Sequence, residues 1–193
     1  KIPAGVVENA PVQKALTDGL QKQFNVPGLV TSYINYQFHL NDSLIKANKL
    51  DKKEIKNFIA TQMLQQTSVL AVVDLENLAN EALPEKLKKM LTNSYNQKLS
   101  GQVQVIPKPQ WFENWRLGTT HGLWNPYDAH IPLVFMGWGI KPGKLNREVY
   151  MSDIAPTLGA LLKVQMPNAS VGDVISEVIS IPVSTTNSTG PKK

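Results

Sequence analysis

Gly118-Thr119-Thr120-His121-Gly122, running on through Tyr127-Asp128-Ala129-His130 into Ile131-Pro132-Leu133-Val134-Phe135-Met136-Gly137-Trp138, is the stretch on which the reading of this chain turns. It sets two of the three histidines and a carboxylate in a polar, glycine-bearing loop just ahead of an apolar run. Small residues let a backbone turn sharply and approach a ligand, and neutral imidazole and carboxylate are the usual zinc ligands at neutral pH. The apolar run from Ile131 to Trp138 reads as a buried strand that expects cover on both faces, as in a layered α/β sheet. Beyond it, Gly139 to Lys144 reads as a turn. Asp153 to Lys163 reads as a helix with Asp153 as its cap and Pro156 in its first turn.

Upstream, helix and strand alternate. Val12, Ala15, Leu16, Leu20 and Phe24 share one face at the i, i+3, i+4 spacing of an amphipathic helix, which Pro27-Gly28 ends. Leu29 to Leu40 reads as one extended run, with Tyr33, Asn35, Gln37 and His39 facing opposite to Ile34, Tyr36, Phe38 and Leu40. Lys49 to Gln66 reads as a helix capped by Asp51, with Leu50, Ile55, Phe58, Ile59 and Met63 on its buried stripe. Val69 to Leu75 reads as a buried strand and Leu83 to Tyr95 as a Lys-rich helix started by Pro84. Gly101 to Ile106 reads as a strand ended by Pro107 and Pro109. This alternation predicts an α+β, open-faced, ferredoxin-like subdomain over 1–112. Trp111, Phe112 and Trp115 mark the return to a main domain over 113–183, and the Ser/Thr/Asn-rich 184–193 reads as a flexible tail.

Composition narrows the partners. A length of 193 residues with 42% hydrophobic side chains can bury a real core. The charge balance, 20 Lys+Arg against 15 Asp+Glu, gives +5, which raises the question of nucleic acid. Only Arg116 and Arg147 are arginines, and the lysines sit in helix-face groups such as Lys52, Lys53, Lys56 and Lys86, Lys88, Lys89 without stacking aromatics between them. The excess therefore reads as solvated helix surface, with no nucleic-acid partner. No run approaches the roughly 20 apolar residues of a membrane helix, so no membrane partner is expected either. The absence of Cys rules out disulfides and thiolate zinc sites within the chain. Asn-x-Ser/Thr triplets at Asn41, Asn168 and Asn187 read as chance matches to a short motif.

A resemblance now enters on these residues. Thr-Thr-His-Gly at 119–122, Tyr-Asp-Ala-His-Ile-Pro-Leu at 127–133, Gly-Trp-Gly-Ile-Lys-Pro-Gly at 137–143, Asp-Ile-Ala-Pro-Thr-Leu at 153–158 and Gln-Met-Pro-Asn at 165–168 together resemble the C-terminal end of an alkaline phosphatase superfamily enzyme. The likeness is to the bacterial enzymes with a threonine nucleophile and two zinc ions, related to type I phosphodiesterases and nucleotide pyrophosphatases. The part upstream, from Lys1-Ile2-Pro3-Ala4-Gly5 through Ser32-Tyr33-Ile34-Asn35 to Gly101-Gln102-Val103, resembles the domain those enzymes insert before their last metal histidine.

The resemblance implies an α/β, alkaline-phosphatase-like C-terminal part carrying an α+β inserted cap, from a periplasmic or secreted phosphohydrolase. It implies His121 as a zinc ligand, with Asp128, His130 and Thr120 as candidates for the surrounding shell that holds the ligand loop. A self-contained three-ligand site from His121, Asp128 and His130 is the bolder alternative. The family nucleophile and the remaining metal ligands lie upstream of the segment this chain resembles. No catalytic residue is therefore assigned here, and the chain reads as a piece inactive by itself, awaiting the N-terminal part of the same polypeptide and a phosphate-ester substrate. An alternative is a non-catalytic cap or protein-interaction module that associates or domain-swaps as a homo-oligomer. Thr119 is not expected to be a nucleophile, and His39 reads as a surface or edge-strand residue.

Overall fold

The apolar rhythm of residues 12–107 folds into a sheet clad in helices, while the equally apolar run at 131–138 forms no element at all. The computed structural model describes residues 3–113 and 122–179, and the chain divides into two compact units, Lys1–Ile131 and Pro132–Lys193. Among the described residues no helix is long and apolar enough to cross a membrane.

The first unit opens with strand β1 (Gly5–Val7) and helix α1 (Asn9–Phe24). Leu16 and Leu20 of α1 are buried, and Val12 and Phe24 pack partly against the same core. That stripe runs in steps of four, so Ala15, expected on it, lies one position off and is exposed. Gly19 admits the Phe58 ring, since a Cβ there would stand 2.9 Å from Phe58 Cζ. Asn25, at φ 55°, ends the helix with its N–H on Gln21 O at 2.9 Å.

The expected single run from 29 to 40 is instead a hairpin, β2 (Val30–Ile34) and β3 (Gln37–Leu40). Asn35 and Tyr36 turn it with φ of 52° and 62°, the mirror-image geometry that suits a two-residue loop. The turn reverses the face assignment: Tyr33 now lies opposite Phe38, their ring centroids 4.4 Å apart, where a continuous strand would have set them on opposite faces. A short helix α2 (Asp42–Ala47) follows, capped by Asn41 Oδ1 accepting from Leu44 N at 3.0 Å. Helix α3 (Lys52–Leu64) has its expected cap, Asp51 Oδ1 accepting from Lys53 N at 2.7 Å, and buries Ile55, Ile59 and Met63.

Strand β4 (Val69–Asp74), a 3-10 segment (Leu75–Asn80), helix α4 (Glu85–Ser94) and strand β5 (Val103–Pro107) complete the sheet, whose order is β2-β3-β5-β4 with every neighbour antiparallel. The α+β class stands, but the ferredoxin-like connectivity does not. One split unit is present, β5 lying between β3 and β4, but the β-α-β-β-α-β chain order of a ferredoxin-like fold is not followed, because the hairpin joins the first two strands of the sheet and β4 and β5, linked through α4, are direct neighbours. Nor is the sheet open-faced. Leu16, Leu20, Phe38, Ile59 and Val105 pack on one side, while Val73, Leu75, Leu87, Leu91 and Ile106 form a second cluster. Each such side chain contributes about 1.5–3 kcal/mol relative to exposure.

Strand β6 (Trp111–Glu113) then returns to pair in parallel with β1, Gly5 opposite Trp111 and Val7 opposite Glu113. Gly5 is demanded by that pairing, because a Cβ would sit 2.6 Å from the Trp111 ring. Helix α5 (Pro126–Ala129) is a single turn.

In the second unit, helix α6 (Ile154–Leu162) follows a 3-10 turn, Met151–Asp153, and the chain from Ser170 returns over both. Asp153 is buried, and its carboxylate accepts from Tyr150 N at 2.9 Å and from Asp173 N at 3.0 Å. It therefore caps the 3-10 turn and holds the returning chain, and makes no side-chain cap to α6. Thr157, fully buried, donates to Asp153 O at 2.6 Å and accepts from Ile175 N at 2.9 Å.

The strand expected from Ile131 to Trp138 is not formed. Val134 is 82% exposed, Met136 94% and Trp138 73%. A strand of this composition is stable when neighbours pair with both edges and side chains cover both faces, and among the described residues none pairs with it. The turn expected over 139–144 comes earlier, with Gly137 at φ 127°, Gly139 at φ 72° and Ile140 N on Gly137 O.

Candidate functional site

The loop that the sequence singles out is flanked by two short elements of the first unit, β6 upstream and α5 downstream. His121 and Thr120 lie outside the described residues, as do Trp115 and the tail from 184 to 193.

Downstream, Asn125 is buried, and Pro126 begins α5 with φ suited to a first turn. Asp128, in that turn, accepts from Leu123 N through Oδ2 at 2.7 Å. Its carboxylate thus ties down the backbone just after Gly122. His130 follows α5, its backbone N–H on Pro126 O and the residue exposed. Among the described residues no three His, Asp or Glu side chains gather into a group able to hold a metal ion, so Asp128 and His130 do not assemble such a set there.

Upstream, the structure brings together residues that the sequence reading passed over. Glu113 closes β6, and its Oε2 accepts from Asn9 Nδ2 at 2.6 Å while Oε1 accepts from the Tyr33 hydroxyl at 2.7 Å. Burial pushes the Glu113 carboxyl above the usual carboxylate range, against the pull of these two donors. Burial, reinforced by the Glu113 charge, holds the Tyr33 hydroxyl far above the ordinary phenol value, so it stays a donor. Tyr36, on the hairpin turn, is pushed up to about 12 by burial and then by the charges of Glu113 and Asp128. The hairpin tip therefore stands within electrostatic reach of both carboxylates. Tyr127 joins the two flanks directly, its hydroxyl accepting from Gln110 N at 2.7 Å. The signal for Glu113 was present in the sequence as the one acid inside the patch Trp111-Phe112-Glu113. Its hydrogen-bond partners, 104 and 80 residues away, were not.

The remaining singled-out residues have structural surroundings. His39 is half-buried on β3, an internal strand and not an edge. Lys52 and Lys56 are not the solvated surface lysines expected: both are part-buried, Lys56 with a side chain only 13% exposed, and they form ion pairs with Asp42 of α2, Asp74 at the end of β4 and Glu76 of the 3-10 segment.

No family model matches the chain. Three curated proteins are similar to it. Alkaline phosphatase PafA from Elizabethkingia meningoseptica is 38% identical over 181 residues, which is 93% of this chain and 33% of that protein. Alkaline phosphatase PhoV from Synechococcus elongatus is 44% identical over 146 residues, 76% of this chain and 26% of that protein. A protein from Myroides odoratus named calcium-transporting ATPase is 42% identical over 178 residues, 91% of this chain and 32% of that protein. Among solved structures, wild-type alkaline phosphatase PafA matches with a TM-score of 0.85 at 36% identity, covering 92% of this chain and 34% of that one. A substituted PafA variant matches with the same TM-score at 37% identity, covering 92% and 33%. The chain spans about a third or less of the length of the curated relatives it matches.

Proposed function

We propose that this chain, similar over nine-tenths of its length to about a third of the PafA chain, is the C-terminal part of a phosphohydrolase of the alkaline phosphatase kind that PafA and PhoV represent. In that part, residues 1–112 form an inserted cap and His121 is a metal ligand. The observation that carries this reading is the agreement of sequence and backbone over nine-tenths of the chain, 38% identity to PafA with a TM-score of 0.85. All three relatives are named for phosphate chemistry, two as alkaline phosphatases and one as an ATPase. The substrate class proposed for the whole protein is accordingly a phosphate ester, and its compartment is the periplasm or the exterior.

Zinc is the proposed metal, on the strength of the family likeness. The described residues do not by themselves fit it, since they contain no three-ligand group. One imidazole at His121 cannot hold the ion against the three or four ligands zinc takes. No chemical step is therefore assigned to this chain. Its own residues contribute position: Asp128 fixes the backbone at Leu123, and Tyr127 fixes the turn at Gln110. The nucleophile and the other ligands belong to polypeptide outside this sequence, and the chain alone is proposed to be inactive.

The exposed run 131–138 supports the same reading. Its Val134, Met136 and Trp138 side chains lie in solvent, as a core strand would without its neighbours. It also favours a second reading, that copies of the chain associate through this run, which light scattering would reveal as a dimer or larger species.

The test is p-nitrophenyl phosphate hydrolysis by the 193-residue chain, by the longer polypeptide that carries it, and by that polypeptide with His121→Ala. Turnover is expected only in the longer polypeptide, and His121→Ala should lower it at least 100-fold, the scale of losing a group that contacts the reacting centre. Full turnover in the His121→Ala variant would remove the ligand role. Absence of turnover in the longer polypeptide would remove the phosphohydrolase reading.

A further inference from the structure

Glu113 lies opposite Val7 in the pairing of β6 with β1, and its carboxylate reaches two further elements, Oε2 accepting from Asn9 Nδ2 of α1 at 2.6 Å and Oε1 from the Tyr33 hydroxyl of β2 at 2.7 Å. Four elements thus meet at one ionisable group. The β1–β6 pairing is three residues long, and so short a ribbon is marginal by itself. Behind it Glu113 helps to line a mostly apolar recess of about 20 Å³, walled by Val7, Val12, Phe38, Met63, Val105 and Trp111, with room for about one water. A carboxylate removed from solvent keeps its charge at low cost only beside a cation. Glu76 has two, Lys52 and Lys56. Glu113 faces Asn9 and Gln13 of α1, Tyr33 of β2 and Tyr36 of the hairpin turn, all neutral, and Asp128 of α5, which acts on Tyr36, is a second acid. Among the described residues no Lys, Arg or His is bonded to it.

We propose that the seam joining β1 and β6 to α1 and the sheet is a proton-sensitive latch: uptake of a proton by Glu113 tightens it, and release of that proton loosens it. The proton comes from water. Asn9 goes on donating to Oε2, while the new O–H on Oε1 donates to the Tyr33 oxygen, a neutral hydroxyl that turns from donor to acceptor. Every polar group of the seam therefore keeps a partner in both states, and only the uncompensated charge is removed. Burial holding the Glu113 carboxyl above its ordinary range, against the pull of both donors, agrees in direction. A folded-state value above the unfolded one means that the folded chain keeps a proton which the unfolded chain has already lost. The resulting stabilisation is complete below the unfolded value and is lost as pH rises through the folded one, the reverse of the sense at Glu76. The latch belongs to the first unit alone and stands apart from the phosphohydrolase reading.

Two measurements on the 193-residue chain test it. Carbon-13 NMR of the Glu113 carboxyl, assigned by its loss in Glu113→Gln, is expected to show it titrating above the ordinary 4.5. Tyr33→Phe and Asn9→Ala each delete a donor that pulls the value down, so each should move that titration further up, which a merely structural contact would not do. Urea unfolding of wild type and Glu113→Gln across the acid-to-neutral range is the second measurement. Glutamine has the shape of the neutral acid and its one acceptor and one donor side, so the wild-type midpoint should rise relative to the variant's as pH falls through the titration of Glu113. A carboxyl titrating at or below 4.5 overturns the proposal, as does a difference in midpoint that stays constant with pH. If Glu113→Gln fails to fold, the titrations in wild type, Tyr33→Phe and Asn9→Ala decide the matter, and a value that does not rise in either variant overturns it.

Discussion

Thr157→Val is the sharpest probe of how the second unit is held. The replacement keeps the shape and the β-branch and deletes one hydroxyl, which is fully buried, donates to Asp153 O at 2.6 Å and accepts from Ile175 N at 2.9 Å. With valine the Ile175 N–H, itself on a residue only 1% exposed, has lost its acceptor. An unpaired buried donor costs about 1–3 kcal/mol, and the bond to Asp153 O adds about 0.5–1.5 kcal/mol. A total near 2–3 kcal/mol follows, which at a urea m-value of about 2 kcal/mol/M lowers the midpoint by about 1–1.5 M. Thr157→Ser keeps the hydroxyl and loses one methyl, about 1 kcal/mol. The expected order of stability is therefore Thr, then Ser, then Val. Apolar burial alone gives the opposite order for the two variants. Urea unfolding followed by circular dichroism, with exchange of the Ile175 amide to localise the effect, measures it. A valine variant more stable than the serine variant would refute the argument.

Two further outcomes test other parts of the fold. Gly172→Ala should destabilise the second unit by about 3 kcal/mol or more in the same urea assay, because the new Cβ would stand 2.1 Å from Ser152 O and force the returning chain off Asp153. Glu76 is half-shielded, and burial would raise its pKa, but the Lys52 and Lys56 ammonium groups bonded to it bring it below the ordinary 4.5. A depressed carboxylate stabilises above its unfolded value and loses that contribution as pH falls through the folded one. Wild type should therefore exceed Glu76→Gln by less than about 1 kcal/mol at pH 7, the discount a solvent-screened pair demands. The gap should close in acid, and a gap that is constant from pH 7 to pH 2 would deny the ion pairing.

Much of the first unit was legible because its signals are local. Asp51 before the Ile55, Ile59, Met63 stripe is both cap and core face of one helix, and Val69 to Val73 and Val103 to Ile106 are short apolar runs bounded by turn residues. The hairpin was not legible, because its turn carries Tyr36 where glycine would announce positive φ. Gln104 helps to hold that conformation from 68 residues away, its Nε2 donating to Tyr36 O at 3.2 Å. The sheet order was equally hidden, since strand composition says which runs are buried and not which run lies beside which. In the second unit, Ile131 to Trp138 carries the right composition for a strand, but a strand is a relation between segments and composition supplies only one partner. Asp128 and Leu123 stand five residues apart, so their bond lies within the reach of local sequence, whereas Glu113 takes its meaning from the distant Asn9 and Tyr33. The role of His121 rests on kinship and awaits the hydrolysis test.

The pairing of β1 with β6 brings the two ends of the stretch 8–110 side by side, which has an evolutionary corollary. A stretch whose two ends lie on paired strands keeps those ends close together whatever its own length. On that geometry the intervening stretch can be shortened or lengthened while β1 and β6 keep their places. Replacing residues 8–110 by a crossover linker of about a dozen residues, the least that joins two parallel strands, would show whether Gly5–Val7 still pairs with Trp111–Glu113 without them.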